Sequence, residues 1–178
     1  MASKSDALMA PILEGALILA AGVIGLAAGG PLLFSSLGPT VFEQVEFPER
    51  KSANVYNILV GHGLALGAGF VSLYVTGASA APEVVASGHV TWPRVWASVL
   101  AVALTALATL VLKATQPAAL STTLLVSTGA FDTAWKAMMI VLGVVAVTAI
   151  GQPARYLRLH QKEKSKQSEA HPPEREAA

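Results

Sequence analysis

Residues 31–63 read PLLFSSLGPTVFEQVEFPERKSANVYNILVGHG. One apolar run ends there in Ser35-Ser36-Leu37-Gly38-Pro39-Thr40, and another begins around Asn57 and His62. Between them Glu43, Glu46, Glu49, Arg50 and Lys51 form a connector that cannot sit in hydrocarbon. Small hydroxyls, a glycine and a proline, placed where a membrane helix should be finishing, make a poor lipid-facing surface. They make a good lining for a shielded, partly hydrated site. The protein is read as built around that interruption.

The bulk composition agrees. Of 178 residues, 53% are hydrophobic and 13% charged, and the mean hydropathy is +0.57, whereas about 25% of residues are charged in soluble domains. An integral membrane protein is expected. A net charge of +1 gives nucleic acid no footing. The absence of cysteine excludes disulfides, Cys-ligated zinc, iron–sulfur clusters and thiol nucleophiles. His89, His160 and His171 share no metal-ligand spacing with one another or with His62. The zincin, nucleophile-elbow, P-loop and dinucleotide-glycine signatures are missing. No cofactor, metal or enzymatic activity is expected.

Outward from the interruption, residues 1–11 are a short polar start and 12–34 a first span, about the twenty apolar residues a bilayer requires. Asp6 and Glu14 flank this run, which is too long for a signal core. Gly15, Gly22 and Gly29 recur at sevens with Gly25 between them. Gly63, Gly67 and Gly69 lie in a second span at 55–76, so the two spans are expected to pair as an antiparallel hairpin. A small-residue loop follows, GASAAPEVVASGHVTWP at 77–93, and then a third span at 94–112. PAALSTTLLVST, 117–128, is too short to cross and reads as a re-entrant half-helix with Pro117 in its first turn. The last span is 134–154, with Asp132 and Lys136 spaced as an ion pair at its start. Residues 155–178 read as a disordered basic tail. By the positive-inside rule that tail is cytoplasmic, and four crossings place the N-terminus there too. The same count puts Arg94 with the termini, and Arg50, Lys51, Lys113 and Lys136 as a basic rim on the other side.

The fold class expected is therefore an all-α membrane protein. It has four transmembrane helices in two similar halves, each with a Pro/Ser/Thr-rich broken or re-entrant segment. Because each half is expected to cross twice, the halves should be related in parallel and not inverted. With both breaks on one side, two helix amino ends would point unsatisfied N–H groups at one place, which favours an anion. The candidate contacts are Ser35, Ser36, Gly38 and Thr40 from the first break and Gln116, Pro117, Ser121 and Thr122 from the second, with Asn57 and His62 orienting them. Two readings stand side by side for the polar groups. The hydroxyls either satisfy freed carbonyls or touch a ligand, and His62 is either a hydrogen-bonded core histidine or a proton- or substrate-handling one.

Ser35-Ser36-Leu37-Gly38-Pro39-Thr40-Val41 resembles the Ala-Ser-Phe-Gly-Ala-Thr-Ala segment of the HPP family of integral membrane proteins. Asn57-Ile58-Leu59-Val60-Gly61-His62 resembles that family's Asn-Val-Ile-Gly-Gly-His, and the order of spans is similar over residues 12–155. Gln116-Pro117-Ala118 stands where the family carries its naming His-Pro-Pro, and Val55-Tyr56 where it has Pro-Arg. His171-Pro172-Pro173 falls in the polar tail, outside any membrane context. The resemblance implies four spans, in bacteria or plastids, and transport of a small monovalent anion such as nitrite. Integral, multi-pass placement in a bacterial inner membrane is the expectation. The partners expected are the lipid bilayer, a small anion and, from the glycine faces, further copies of the chain. The alternative is a non-transporting scaffold, assembly factor or sensor that works through the basic cluster Arg155, Arg158, Lys162, Lys164 and Lys166.

Overall fold

Two consecutive glycines end the first helix. The computed structural model describes residues 4–170, with side chains over 8–164. Helix α1, Lys4–Ala28, stops where Gly29 adopts φ +63, and the Gly30 N–H closes onto the Gly25 carbonyl at 3.1 Å. This is the six-to-one bond of a helix ending on a left-handed residue. The chain then folds back along its own helix. Leu33 lies over Gly22, and a Cβ on Gly25 would stand 3.1 Å from that of Leu32. The first span thus ends at Ala28 and not at residue 34. Gly22 and Gly25, expected to seat the second span, receive residues 32 and 33 instead.

Helix α2, Leu37–Glu46, follows, then a 3-10 turn at Lys51–Ala53 and helix α3, Val55–Val75. Asn54 caps α3, its Oδ1 accepting from the Asn57 N–H at 2.9 Å. After the single turn α4, Val84–Ser87, comes α5, Trp92–Val111, with Pro93 in its first turn. Helix α5 ends as α1 does: Lys113 takes the left-handed φ of +52, and Ala114 N–H bonds the Thr109 carbonyl at 2.8 Å. Helices α6, Pro117–Ser127, and α7, Ala134–Ala170, complete the chain. Among the described residues there is no strand, and four helices are long and apolar enough to cross a membrane: Leu8–Ala28, Val55–Val75, Trp92–Val111 and Ala134–Lys164. The protein is an all-α, multi-pass membrane protein.

Contacts along the helices fix their directions. Gly61 faces Ala119 and Gly69 faces Val126, so α6 runs with α3. Phe34 lies at Gly143 and Gln44 at Gly151, while Arg158 reaches the Val45 carbonyl, so α2 runs with α7. Met9 meets Gln161 and Gly30 meets Met139, so α1 opposes α7. Tyr56 Oη donates to the Leu112 carbonyl at 2.9 Å, where α3 begins and α5 ends, so these two are antiparallel. Gln152 Nε2 donates to the Ala53 carbonyl at 3.3 Å, beside the start of α3, and α7 opposes α3. Helices α1, α3 and α6 therefore point one way and α2, α5 and α7 the other. Each half reads long, short, long, and the second is inverted relative to the first. The expected parallel relation fails because it counted only the long spans, whereas each short helix carries the chain back before the next long one starts. The hairpin of first and second spans fails with it. Helix α1 packs on α2 and α7, and α3 packs on α5, α6 and α7.

The same reversal moves the charges. Arg50, Lys51 and Lys113 lie on the face where α1 begins and α7 ends, whereas Arg94 and Lys136 lie on the opposite face. Lys136 and Asp132 do pair, at 3.8 Å. Arg94 sits at 2% exposure, with its Nη1 donating to the Ser127 carbonyl at the end of α6 (3.3 Å) and Nη2 to Ala81 O (2.7 Å). Its Nε donates to Pro82 O at 3.2 Å, and Nη2 lies 3.5 Å from Asp132. Gly129, at φ +96, leaves room for it: a Cβ there would stand 2.5 Å from Nη2.

The tail is also corrected. Residues from 155 continue α7 as far as Ala170, past Pro153, because their cations find acceptors at the end of α2 and just beyond it. Arg158 Nε donates to Val45 O (3.2 Å), Arg155 Nε to Pro48 O (2.7 Å) and Lys162 Nζ to Glu46 O (2.7 Å). Residues 171–178, with the His171-Pro172-Pro173 sequence, lie outside the described residues. Replacing Arg94 by Ala removes three carbonyl contacts and leaves Asp132 with Lys136 alone. The expected loss is about 3–5 kcal/mol, read as a lowered melting temperature in mild detergent, with the exposed Lys51→Ala within about 0.5 kcal/mol of the parent.

Candidate functional site

The polar groups inside this bundle gather on His62, in the second turn of α3 and 2% exposed. Its Nε2 lies 3.1 Å from Thr40 Oγ1 on α2 and its Nδ1 2.7 Å from Thr122 Oγ1 on α6. Ser36 closes the group. Thr122 Oγ1 donates to Ser36 Oγ at 2.8 Å, and Thr40 Oγ1 donates to the Ser36 carbonyl at 2.8 Å. Serine at a helix N-cap ordinarily turns its oxygen onto the first-turn amides. Ser36 is the N-cap of α2 but makes no cap bond, its hydroxyl being turned to Thr122 instead.

The proton count is tight. Thr122 gives its proton to Ser36, so it offers Nδ1 a lone pair and calls for Nδ1–H. Thr40 has two acceptors within reach. Its hydroxyl can remain on the Ser36 carbonyl or turn to a bare Nε2. Rotation of that one hydroxyl lets the cluster hold His62 with or without a proton on Nε2.

A second polar group lies five residues before His62, in the first turn of α3. Asn57 Nδ2 donates to Thr115 O at 2.9 Å. Beside it Gln116, the N-cap of α6, is 3% exposed, and neither its Nε2 nor its Oε1 has a hydrogen-bond partner among the described residues. Its Cβ packs so near Gly61 that a Cβ on that glycine would stand 2.8 Å away. An unpaired buried amide costs about 1–3 kcal/mol; in the first turn of α6 Pro117 has no N–H and the Ala119 N–H is on the Gln116 carbonyl at 3.0 Å, which leaves that of Ala118 without an acceptor in its own helix.

Of the residues singled out in the sequence, the fold brings together Ser36, Thr40, His62 and Thr122, with Asn57 and Gln116 adjacent. Ser35, Gly38 and Pro117 lie on the exposed side of their elements and Ser121 is half-buried, so these four stand outside the cluster. The two amino ends do not converge as expected. Helices α2 and α6 are antiparallel, and Ser36 at the start of α2 meets Thr122 midway along α6. Sequence reading missed the hydroxyl pairs Thr105–Thr123 (2.8 Å) and Ser98–Ser127 (3.0 Å), which join α5 to α6. Their only signal is that Ser98 and Thr105 recur seven apart on an apolar helix. It also missed Gln44, fully buried against Gly151 with neither amide atom paired. Among the described residues no group of three or more His, Cys, Asp or Glu comes together to hold a metal.

Membrane-crossing helices closed around a hydroxyl–imidazole cluster make a small polytopic membrane protein with an internal polar site. The chain matches the sequence profile described as "HPP, transmembrane region" over residues 2–164, and it belongs to the HPP family of integral membrane proteins. No curated protein and no solved structure matches it.

The α3–α6 approach that holds the cluster can be tested directly. Gly61→Ala puts a methyl against Gln116 Cβ and 3.2 Å from the Ala114 carbonyl, and Gly63 has nothing within 4 Å. Gly61→Ala should cost about 1–3 kcal/mol and Gly63→Ala much less, by thermal unfolding in detergent.

Proposed function

We propose that the protein is a small membrane transporter for a small monovalent anion, with nitrite the first candidate. The observation that carries this reading is the buried Gln116 amide without a partner, at the amino end of α6 and next to the His62 cluster. A donor held out of water and unpaired is a place for an acceptor to bind, and the amino end of α6 adds the Ala118 N–H and a favourable dipole. Ser36, Thr40 and Thr122 supply hydroxyls that can reorient as a solute passes. Family membership supports a transporter in general, and the resemblance around residues 35–41 and 57–62 supports nitrite in particular.

The reading extends to orientation. Arg50, Lys51, Lys113, Arg155, Arg158 and Lys162 collect on the face shared by the two chain ends, which under the positive-inside rule is the cytoplasmic one. A bacterial inner membrane is the proposed location. The scaffold alternative loses its main support, since Arg158 and Lys162 are engaged on the end of α2 and Arg155 on Pro48 just beyond it, so that they do not form a free cluster.

The test is uptake of nitrite, nitrate, chloride and formate into proteoliposomes. Saturable, selective uptake is expected, falling about tenfold or more in His62→Ala and in Ser36→Ala, the kinetic equivalent of one lost buried hydrogen bond. Uptake no greater than in empty liposomes for all four anions would overturn the reading.

A further inference from the structure

Helix α2 carries Ser36, Thr40 and Glu43 on one face, at spacings of four and three, and the first two already belong to the His62 cluster. Glu43 is 7% exposed. One of its oxygens, Oε1, accepts from Ser52 Oγ at 3.0 Å, and the other, Oε2, is buried without a partner among the described residues. A carboxylate brings two oxygens that need donors, so an ionised Glu43 would leave one of them unmet in a buried place. Ser52 is half-buried in the turn on the face of the chain ends, next to exposed Lys51. A polar line thus runs from that face through Ser52 and Glu43, then one helical turn to Thr40 and on to His62 Nε2.

The charges around this line gather at its Glu43 end. Against His62, α2 and α6 present the hydroxyls of Thr40 and Thr122, while Leu59 and Leu66 of α3 itself and Ile140, Val141, Val144 and Val145 of α7 are apolar. Near Glu43 the charged groups are Glu46 on α2, Arg158 and Lys162 of α7 on the Val45 and Glu46 carbonyls, and Glu14 of α1 beside Glu46 and Arg158. Glu43 itself is in none of the ion pairs among the described residues.

We infer that Glu43 exchanges a proton with His62 through Thr40, making α2's polar face a proton path between the membrane surface and the buried histidine. The proton leaves Glu43 Oε2 for Thr40 Oγ1, directly after a rotamer change or across one water. Thr40 passes its own hydroxyl proton to Nε2. Glu43 is left a carboxylate and His62 an imidazolium, and the reverse transfer restores both. Resting on the transport reading above, this couples anion movement to a proton.

The test uses the full chain in lipid nanodiscs, with histidine-labelled nitrogen NMR for the imidazole and infrared spectroscopy for the carboxyl C=O band, both followed against pH. Glu43→Gln should remove a carboxyl band and displace the His62 midpoint by about one unit or more, as two strongly interacting sites require. Glu43→Asp should keep part of the coupling. A His62 midpoint unchanged in a folded Glu43→Gln would overturn the proposal. If that variant fails to fold, the wild type and Glu43→Asp decide. Carboxyl and ring signals that change together support the exchange, and signals that titrate independently overturn it. In proteoliposomes, nitrite uptake by the wild type, read against protein-free liposomes, should acidify trapped pyranine, and Glu43→Gln should lose that acidification while retaining uptake. Acidification equal in both would overturn the coupling. Absence of wild-type uptake for nitrite, nitrate, chloride and formate alike would defeat the transport reading alone, leaving proton exchange to be decided by the spectra.

Discussion

A helix leaves its last carbonyls without partners, and inside a membrane there is no water to supply them. This protein has two short helices, α2 and α6, whose carboxyl ends stop against the bundle, and at each a buried arginine supplies the missing donors. Arg158 meets the Val45 carbonyl and Arg94 the Ser127 carbonyl. The cation also complements the negative end of the helix dipole. These contacts account for features that otherwise look unrelated: a left-handed glycine at residue 129, a last helix of 37 residues, and basic side chains that turn inward.

With its carboxyl end held, α2 presents its other end to the centre. Ser36 gives up capping its own helix to meet Thr122, and Thr40, one turn on, meets the same imidazole from the other side. The antiparallel course of α2 and α6 makes this possible, since it sets the start of one helix beside the middle of the other. Gly61 and Gly69 let α6 lie close enough to α3 for the threonine to reach. Local conformation, helix packing and side-chain chemistry therefore converge on one histidine.

Much of this was legible in the sequence. The hydropathy of the four long helices and the polar interruption at 35–40 gave the class of protein and four of the cluster residues, Ser36, Thr40, His62 and Thr122. What could not be read was direction. Helix α2 spans ten residues, too few to register as a crossing, yet it reverses the chain. The error spread from there to the relation of the halves, the side on which Arg50 and Lys113 lie, and the convergence of two helix ends. Ser35 and Ser36 are neighbours in sequence, and only the turn that starts α2 decides which faces inward. Glu43 read as part of a solvated connector because its neighbours at 46, 49, 50 and 51 are charged. The glycine stripe of α1 was legible as a close-approach surface, but stripes do not name their occupant, and here it is the chain itself.

The inverted halves are similar in plan but not in compactness. Helix α5 lies packed along α3, whereas α1 lies more loosely against α7 and borders an open apolar groove of about 850 Å³ beside Gly15, Gly22 and Gly25. One motif is thus present in two packings, tight in the second half and open in the first. Exchanging the packings would seat α1 on α7 and close its groove, and would lift α5 from α3 to enlarge the smaller groove between Gly67 and Ala108. The resulting arrangement is the mirror of the first with respect to the two membrane faces. Its energy would differ from that of the first by what the two half-sequences do not share.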